Sequence, residues 1–298
     1  PLYEELKWEV FSCDYVQVDE TTVPVINREK HKADKEYLWM VRSVMERLVI
    51  FHYDGGSRAG AVIESLANQY NFKGYLQCDG FAGYETAFKA NPDVRLLNCL
   101  VHIRRHFEQA LDENREMAQH ALTQIQHIYK IERQCDEAGL SYDERRQTRQ
   151  ELSRPIMEAM KVWMETEGIK YSPSSLTGKA ITYAYTKWDN IMRCLDDGRL
   201  YWDNNLAENV QRPITLSRKN FLFCGNHEAA VNMSVICSLL ATCKAHDVNP
   251  RVYLNDVIAQ MPYHKKATQE ELLNLLPHKW KLKHPECVLT KQKEESCN

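Results

Sequence analysis

Tyr15-Val-Gln-Val-Asp-Glu-Thr-Thr-Val-Pro-Val25 alternates apolar and polar residues and is rich in β-branched side chains, the pattern of a half-buried strand. Pro24 lacks the N–H that a ladder uses, so the strand is predicted to end near it. Asp19 interrupts the apolar rhythm. A carboxylate in such a strand is stable only where it opens on a cleft or meets a cation. The polar loop from Asn27 to Asp34 turns the chain, and Glu36–Ser43 and Leu48–Tyr53 read as two further strands. Their short connections predict an antiparallel meander.

Gly55-Gly-Ser57 breaks this sheet, and the apolar residues at 62, 63, 66, 67 and 70 have the spacing of one buried helix face. Lys73–Asp79 follows as a short, continuous strand, with Asp79 at its C-terminal end before Gly80. A short helix through Ala90 and a fifth strand over Val94–Cys99 complete the order βββαβαβ. Helical periodicity then dominates over 110–137, 143–167 and 176–195. The expected fold is α/β, a mixed five-stranded sheet flanked by helices, with a large all-helical insertion before a final helix. Residues 1–110 and 199–262 are expected to make one domain, 111–198 the insertion, and 263–298 a basic tail.

The bulk numbers narrow the function classes. The 298 residues are 44% apolar and 27% charged, with net charge −3, so the whole-molecule field does not mark a nucleic-acid binder. Local patches must carry any such role. Candidates are His102-Ile-Arg-Arg-His106 and the stretch Tyr263–Lys293, which holds seven lysines against three glutamates. The ten cysteines form no CxxC pair, and there is no signal-like N-terminus and no run long enough to cross a membrane. These features predict reduced thiols in a cytoplasmic protein. The chain opens at Pro1 in mid-pattern, which suggests a piece of something longer.

A second decisive stretch is Tyr201-Trp-Asp-Asn-Asn-Leu-Ala-Glu-Asn-Val-Gln-Arg-Pro-Ile214. Asn205 and Glu208 have the form of a capping box, which places Glu208 in a first helical turn, and Pro213 is predicted to bend or end the helix near Arg212. Taken alone, Glu208 reads as a cap or as an i+4 partner of Arg212. Together with Asp19 and Asp79 it completes a set of three carboxylates. Phosphodiester chemistry at neutral pH uses such a set to hold two hard cations, Mg²⁺ or Mn²⁺, which activate the attacking oxygen and stabilise the leaving one.

The runs Val18-Asp-Glu-Thr21, Cys78-Asp-Gly-Phe-Ala-Gly-Tyr84, Cys99-Leu-Val-His-Ile-Arg-Arg-His-Phe107, Asp203–Pro213 and Arg218-Lys-Asn-Phe-Leu-Phe-Cys-Gly225 closely resemble the transposases of the insertion-sequence 66 family of bacterial mobile elements. The resemblance spans nearly the whole chain, in the right order. It implies a ribonuclease-H-like fold with an Asp-Asp-Glu triad matching Asp19, Asp79 and Glu208 as catalytic residues and metal ligands. It implies cleavage and strand transfer of double-stranded DNA at element ends and target, a homo-oligomer in the active complex, accessory proteins of the same element, and a cytoplasmic location on the nucleoid DNA. This sequence departs from the pattern at Asn209, where the family usually has Arg, and at Leu100, where a Trp is common. The family's N-terminal coiled-coil and zinc-binding regions have no counterpart here, so element-end recognition is expected to have been lost with them.

His102, Arg104 and Arg105, with Arg212, Arg218 and Lys219, are the expected DNA contacts, because cations on the phosphate backbone position a substrate. Cys99 and His102 form a lone CxxH with no second pair nearby, and no zinc site is expected. Two rival readings stay open: a ribonuclease-H-like nuclease without transposition, and an inactive DNA-binding remnant of a transposase.

Overall fold

The computed structural model describes residues 1–217 and 220–289. The elements follow as α1 (Leu2–Phe11), β1 (Tyr15–Asn27), β2 (Lys32–Ser43), β3 (Val49–His52), α2 (Gly60–Gln69), β4 (Gly74–Cys78), α3 (Ala82–Phe88), β5 (Val94–Asn98), α4 (Leu100–Ala110) and α5 (Arg115–Glu137). Then come α6 (Tyr142–Thr148), α7 (Arg154–Gly168), α8 (Leu176–Met192), α9 (Asn205–Ser217), α10 (His227–Ala245), α11 (Pro250–Gln260), α12 (Gln269–Leu273) and α13 (Pro277–Lys283). The five strands form one mixed sheet in the order β3-β2-β1-β4-β5, an α/β fold as the sequence led us to expect. The chain divides into two compact units, Pro1–Gly74 with Thr86–Val94 and Leu206–Asn298, and Tyr75–Glu85 with Arg95–Asn205.

In the first unit, β1, β2 and β3 pair antiparallel, with Asp19 opposite Met40 and Met40 opposite Phe51. Side chains alternate across a strand, so Asp19 shares its face with Val23 and Val25. Helices α9 and α10 cover that face. Val23, Val25, Leu38, Met40, Phe51, Ala207, Ile214 and Ala230 form its buried cluster. β3 is an edge strand, and an open edge leaves every second N–H and C=O unpaired. Hydroxyls of α10 and α1 take those groups. Ser238 Oγ accepts the Phe51 N–H at 2.8 Å, Thr242 Oγ1 accepts the Val49 N–H at 3.1 Å, and the Tyr3 hydroxyl donates to the Phe51 carbonyl at 2.6 Å.

Three boundaries differ from the sequence reading. β1 continues through Pro24 to Asn27. A residue's N and C=O point the same way across a strand, and the Pro24 carbonyl accepts from Cys224 at 2.8 Å, so its nitrogen faces away from β2 and the β1–β2 ladder loses nothing. α9 likewise runs past Pro213 to Ser217. Pro213 and Asn209, whose carbonyl loses a partner there, are both exposed, so water can serve it. Finally, α9 opens at Asn205 itself, and Asp203 Oδ1 accepts the Asn205 N–H at 3.0 Å. α1 has no counterpart in the sequence reading. It is anchored by Glu9, which pairs with His278 and Lys279 of α13.

The second unit is mostly helical. Its centre is a buried ion cluster at Glu132 of α5. Arg149 donates Nε and a terminal N–H to the two Glu132 oxygens, each at 2.7 Å, while Trp202 Nε1 adds a bond at 2.9 Å and Arg145 one at 3.0 Å. The other Arg149 nitrogen donates to the carbonyls of Cys194 and Asp197 at 2.9 and 3.0 Å. Burial alone would raise the Glu132 pKa, but these donors outweigh it and hold the carboxyl below its usual range. Arg149 sits where the helix widens into a π turn over Arg149–Ser153, a device that re-aims side chains.

Candidate functional site

Asp19 lies in the middle of β1, half-buried, and its Oδ1 accepts the Glu20 N–H at 2.9 Å. The same face of the first unit holds the start of α9. There Ala207 is fully buried in the cluster and Glu208, the next residue, is half-buried in the first helical turn. A helix N-terminus carries partial positive charge, so a carboxylate is well placed there. Arg212 is exposed one turn further on. Arg218 and Lys219 lie outside the described residues, as does the tail after Leu289.

Asp79 follows directly after β4, and the geometry around it is set within the second unit. Its Oδ1 accepts the Phe81 N–H at 2.8 Å, and its carbonyl accepts the Tyr183 hydroxyl at 2.9 Å. Gly80 has φ +102°, and a Cβ there would stand 2.7 Å from the Tyr183 oxygen. Only glycine fits. Burial first, then the Asp79 charge, pushes the Tyr183 phenol far above its usual pKa, so it stays a donor.

Tyr183 belongs to a polar stripe on α8 that the sequence reading overlooked. Lys187 pairs with Glu85 at 2.6 Å, Asn190 donates to Asn98 at 3.0 Å, and Arg193, just past the helix, donates to the Leu96 carbonyl at 2.7 Å. Positions 183, 187, 190 and 193 fall on one helical face. A polar stripe at that spacing amid a helix with buried Ala184, Trp188 and Ile191 was the available signal.

Among the described residues, one group of three carboxylates is suited to a metal ion: Asp19, Glu20 and Asp79, each half-buried, whose oxygens lie within 4.8 Å of one another. Carboxylate oxygens are the donors that Mg²⁺ and Mn²⁺ prefer. Glu20 was not singled out in the sequence, and Glu208 is outside this group. Glu20 is also engaged elsewhere. Its Oε1 accepts two bonds from Arg58 at 2.9 and 2.7 Å, a charge-assisted contact that offsets the Glu20 charge.

The basic motif forms the exposed side of α4. Arg104 and Arg105 are exposed, Arg104 pairs with Glu108 at 2.9 Å, and Arg105 approaches His102 Nε2 at 3.3 Å. His106 lies against the Tyr183 ring at 4.2 Å, and its pKa is lowered by burial and then by His102. The Cys99 thiol is buried, accepts the Asn204 N–H at 3.3 Å, and is pushed up to about 12 mainly by burial. Leu100, where a Trp was common in the resembled pattern, is fully buried. The nine described cysteines are free thiols, and no described helix is long and apolar enough to cross a membrane.

Comparison with known proteins supplies the context for this geometry. The profile of the Transposase IS66 family matches residues 1–232, and that of the IS66 C-terminal element matches 238–278. An uncharacterised Sinorhizobium fredii protein, y4hP, is 29% identical over 94% of this chain and 53% of its own length. Another from the same organism, y4qI, is 30% identical over 87% of this chain and 50% of its own length. The chain thus spans about half the length of the curated relatives it matches.

Proposed function

Because this chain belongs to the IS66 family of transposases, we propose that it is the catalytic region of a DNA strand-transfer enzyme of ribonuclease-H type, with Asp19, Asp79 and Glu208 as its metal-binding triad. The observation that carries the reading is the acidic group on Asp19 and Asp79, residues that belong to neighbouring strands of the sheet or follow directly on them. Glu208 is preferred to Glu20 as third ligand because Arg58 already neutralises Glu20, whereas Glu208 rises from the helix covering the Asp19 face. When bound, two Mg²⁺ or Mn²⁺ ions would activate an attacking oxygen and stabilise the leaving one.

The protein's own contribution is positioning. The Phe81 N–H and the Gly80 turn fix the Asp79 carboxylate, and the cluster around Ala207 fixes the first turn of α9. Arg104, Arg105 and Arg212 are exposed cations suited to the phosphates of duplex DNA. The active assembly would be a homo-oligomer on DNA, working in the cytoplasm with accessory proteins of the same element.

The test uses the full-length protein and the terminal DNA of the element that encodes it. Mn²⁺ should bind detectably by calorimetry, and Asp19→Asn, Asp79→Asn and Glu208→Gln should each remove cleavage while leaving the circular dichroism spectrum unchanged. Strand transfer by the Asp79→Asn protein at the parental rate overturns the reading. If Glu20→Gln, and not Glu208→Gln, removes cleavage, the third ligand is reassigned.

A further inference from the structure

The helical unit contains a cavity of about 450 Å³ that the proposed chemistry leaves unused, lined by Arg104, Gln126, Tyr129, Arg133, Asp203 and Asn205 above aliphatic side chains of α4 and α5. Its volume falls in the range of small-ligand sites, roughly 300–1,000 Å³. Its polar groups are of mixed kind. Asp203 supplies acceptors, Gln126 and Asn205 supply both donors and acceptors, and Tyr129 supplies an aromatic face with a hydroxyl. That hydroxyl is closed off from solvent and lies beside the Asp203 carboxylate. Burial, with the Asp203 charge adding to it, keeps the phenol protonated well beyond neutral pH.

Two guanidinium groups complete the lining. Arg133 is exposed and has no carboxylate within ion-pair distance among the described residues, and Arg104 shares its charge only with Glu108 at the surface. An aromatic ring, hydrogen-bonding groups of both senses and cations are together the complement of a nucleotide: base face, base edge and phosphate. A free sugar would not use the cations, and a bare phosphate would not use the ring. The cavity also has a direct covalent link to the triad. Asn205 is the first residue of α9, and Glu208 sits in the same first turn.

We propose that this cavity receives one nucleotide unstacked from the DNA substrate, its base on Tyr129 with its polar edge toward Asp203 and Asn205, and its phosphate on Arg104 and Arg133. The inference rests on the DNA-processing reading above and adds a specific substrate requirement to it. Extruding a nucleotide is cheapest where pairing is already lost, so the protein should prefer duplexes that contain such a position.

The experiment compares binding of the full-length protein to two duplexes in EDTA, one fully paired and one with a single 5-iododeoxyuridine opposite an abasic site. The second should bind about tenfold more tightly, the order of one base–aromatic stack, and ultraviolet light should cross-link it to the peptide containing Tyr129. Tyr129→Ala and Arg133→Ala should abolish the preference, and Tyr129→Phe, which keeps the ring, should retain part of it. Equal affinity for the two duplexes, or a cross-link that maps outside α4, α5 and 203–205, overturns the proposal. Because no metal is present, Asp79→Asn should leave the preference unchanged, so a failed cleavage assay and a failed nucleotide site give different results.

Discussion

Replacing Arg149 by Met tests whether the helical unit is held by its buried charges. The side chain is 1% exposed, so the variant would leave Glu132 in a dry interior with only Arg145 and Trp202 as partners. Removing one member of a buried ion pair costs roughly 3–5 kcal/mol. Two carbonyls, of Cys194 and Asp197, would also lose their donor, at roughly 0.5–1.5 kcal/mol each, the net worth of a hydrogen bond where water can replace the donor. Arg145 offsets part of this, so we expect a net loss of about 4 kcal/mol, combining those two ranges. Urea denaturation followed by circular dichroism reads it as a fall in midpoint. The companion variant Glu132→Leu with Arg149→Met removes both charges and should be more stable than Arg149→Met alone, because no orphaned carboxylate remains. A loss below about 1 kcal/mol for Arg149→Met, or losses for the two sites that add within about 0.5 kcal/mol, would show that the cluster is not a coupled unit.

Thr242→Val and Ser238→Ala should each destabilise the chain by about 1–3 kcal/mol, the cost of a buried N–H left without an acceptor, measured by thermal unfolding of each variant; no change would mean that water reaches the β3 edge. Gly80→Ala should cost roughly 1–3 kcal/mol through its positive φ and should lower cleavage more than binding, because it displaces Tyr183 from the Asp79 carbonyl. Comparing the variant's unfolding midpoint with its cleavage rate separates the two effects. His246 approaches the Glu46 carbonyl through Nε2 at 3.0 Å and Lys281 through Nδ1 at 3.4 Å, an arrangement that suits the neutral ring. Burial first, then Lys281, lowers its pKa to about 4. The unfolded chain therefore takes up this proton before the folded one, and stability should be full above about pH 6.5 and decline as pH falls toward 4. Stability profiles of the parent and of His246→Gln that keep the same slope over that window would count against this assignment.

The strands were legible because alternation in Tyr15–Val25 and its neighbours is a local property, and because short connections leave few ways to pair them. Pro24 and Pro213 misled for one reason: proline removes a single N–H, and whether that matters depends on which side of the element it faces. Position in a strand or a helix does not reveal that. Asp19 and Asp79 stood out as acids at places where a strand should be apolar or ending. Glu20 did not, since its neighbour already accounted for the break in pattern, and its Arg58 partner lies far along the chain. The α8 stripe was missed because Tyr183, Lys187 and Asn190 each sit beside a buried apolar neighbour, Ala184, Trp188 and Ile191, so the helix reads as an ordinary buried one. α1 was passed over because the elements it packs on, α12 and β3, are remote in sequence.

The hydroxyl contacts along β3 have a metrical consequence. Four residues of α-helix advance about 6.0 Å, and two residues of strand advance about 6.6–6.8 Å, so Ser238 and Thr242 can meet Phe51 and Val49 nearly in step. A third tooth would fall short by well over an ångström. A helix can therefore act as a surrogate neighbour for a very short strand and for no longer one, and the four-residue length of β3 matches that limit. Lengthening β3 by design would outrun its guard and present sticky backbone to other molecules.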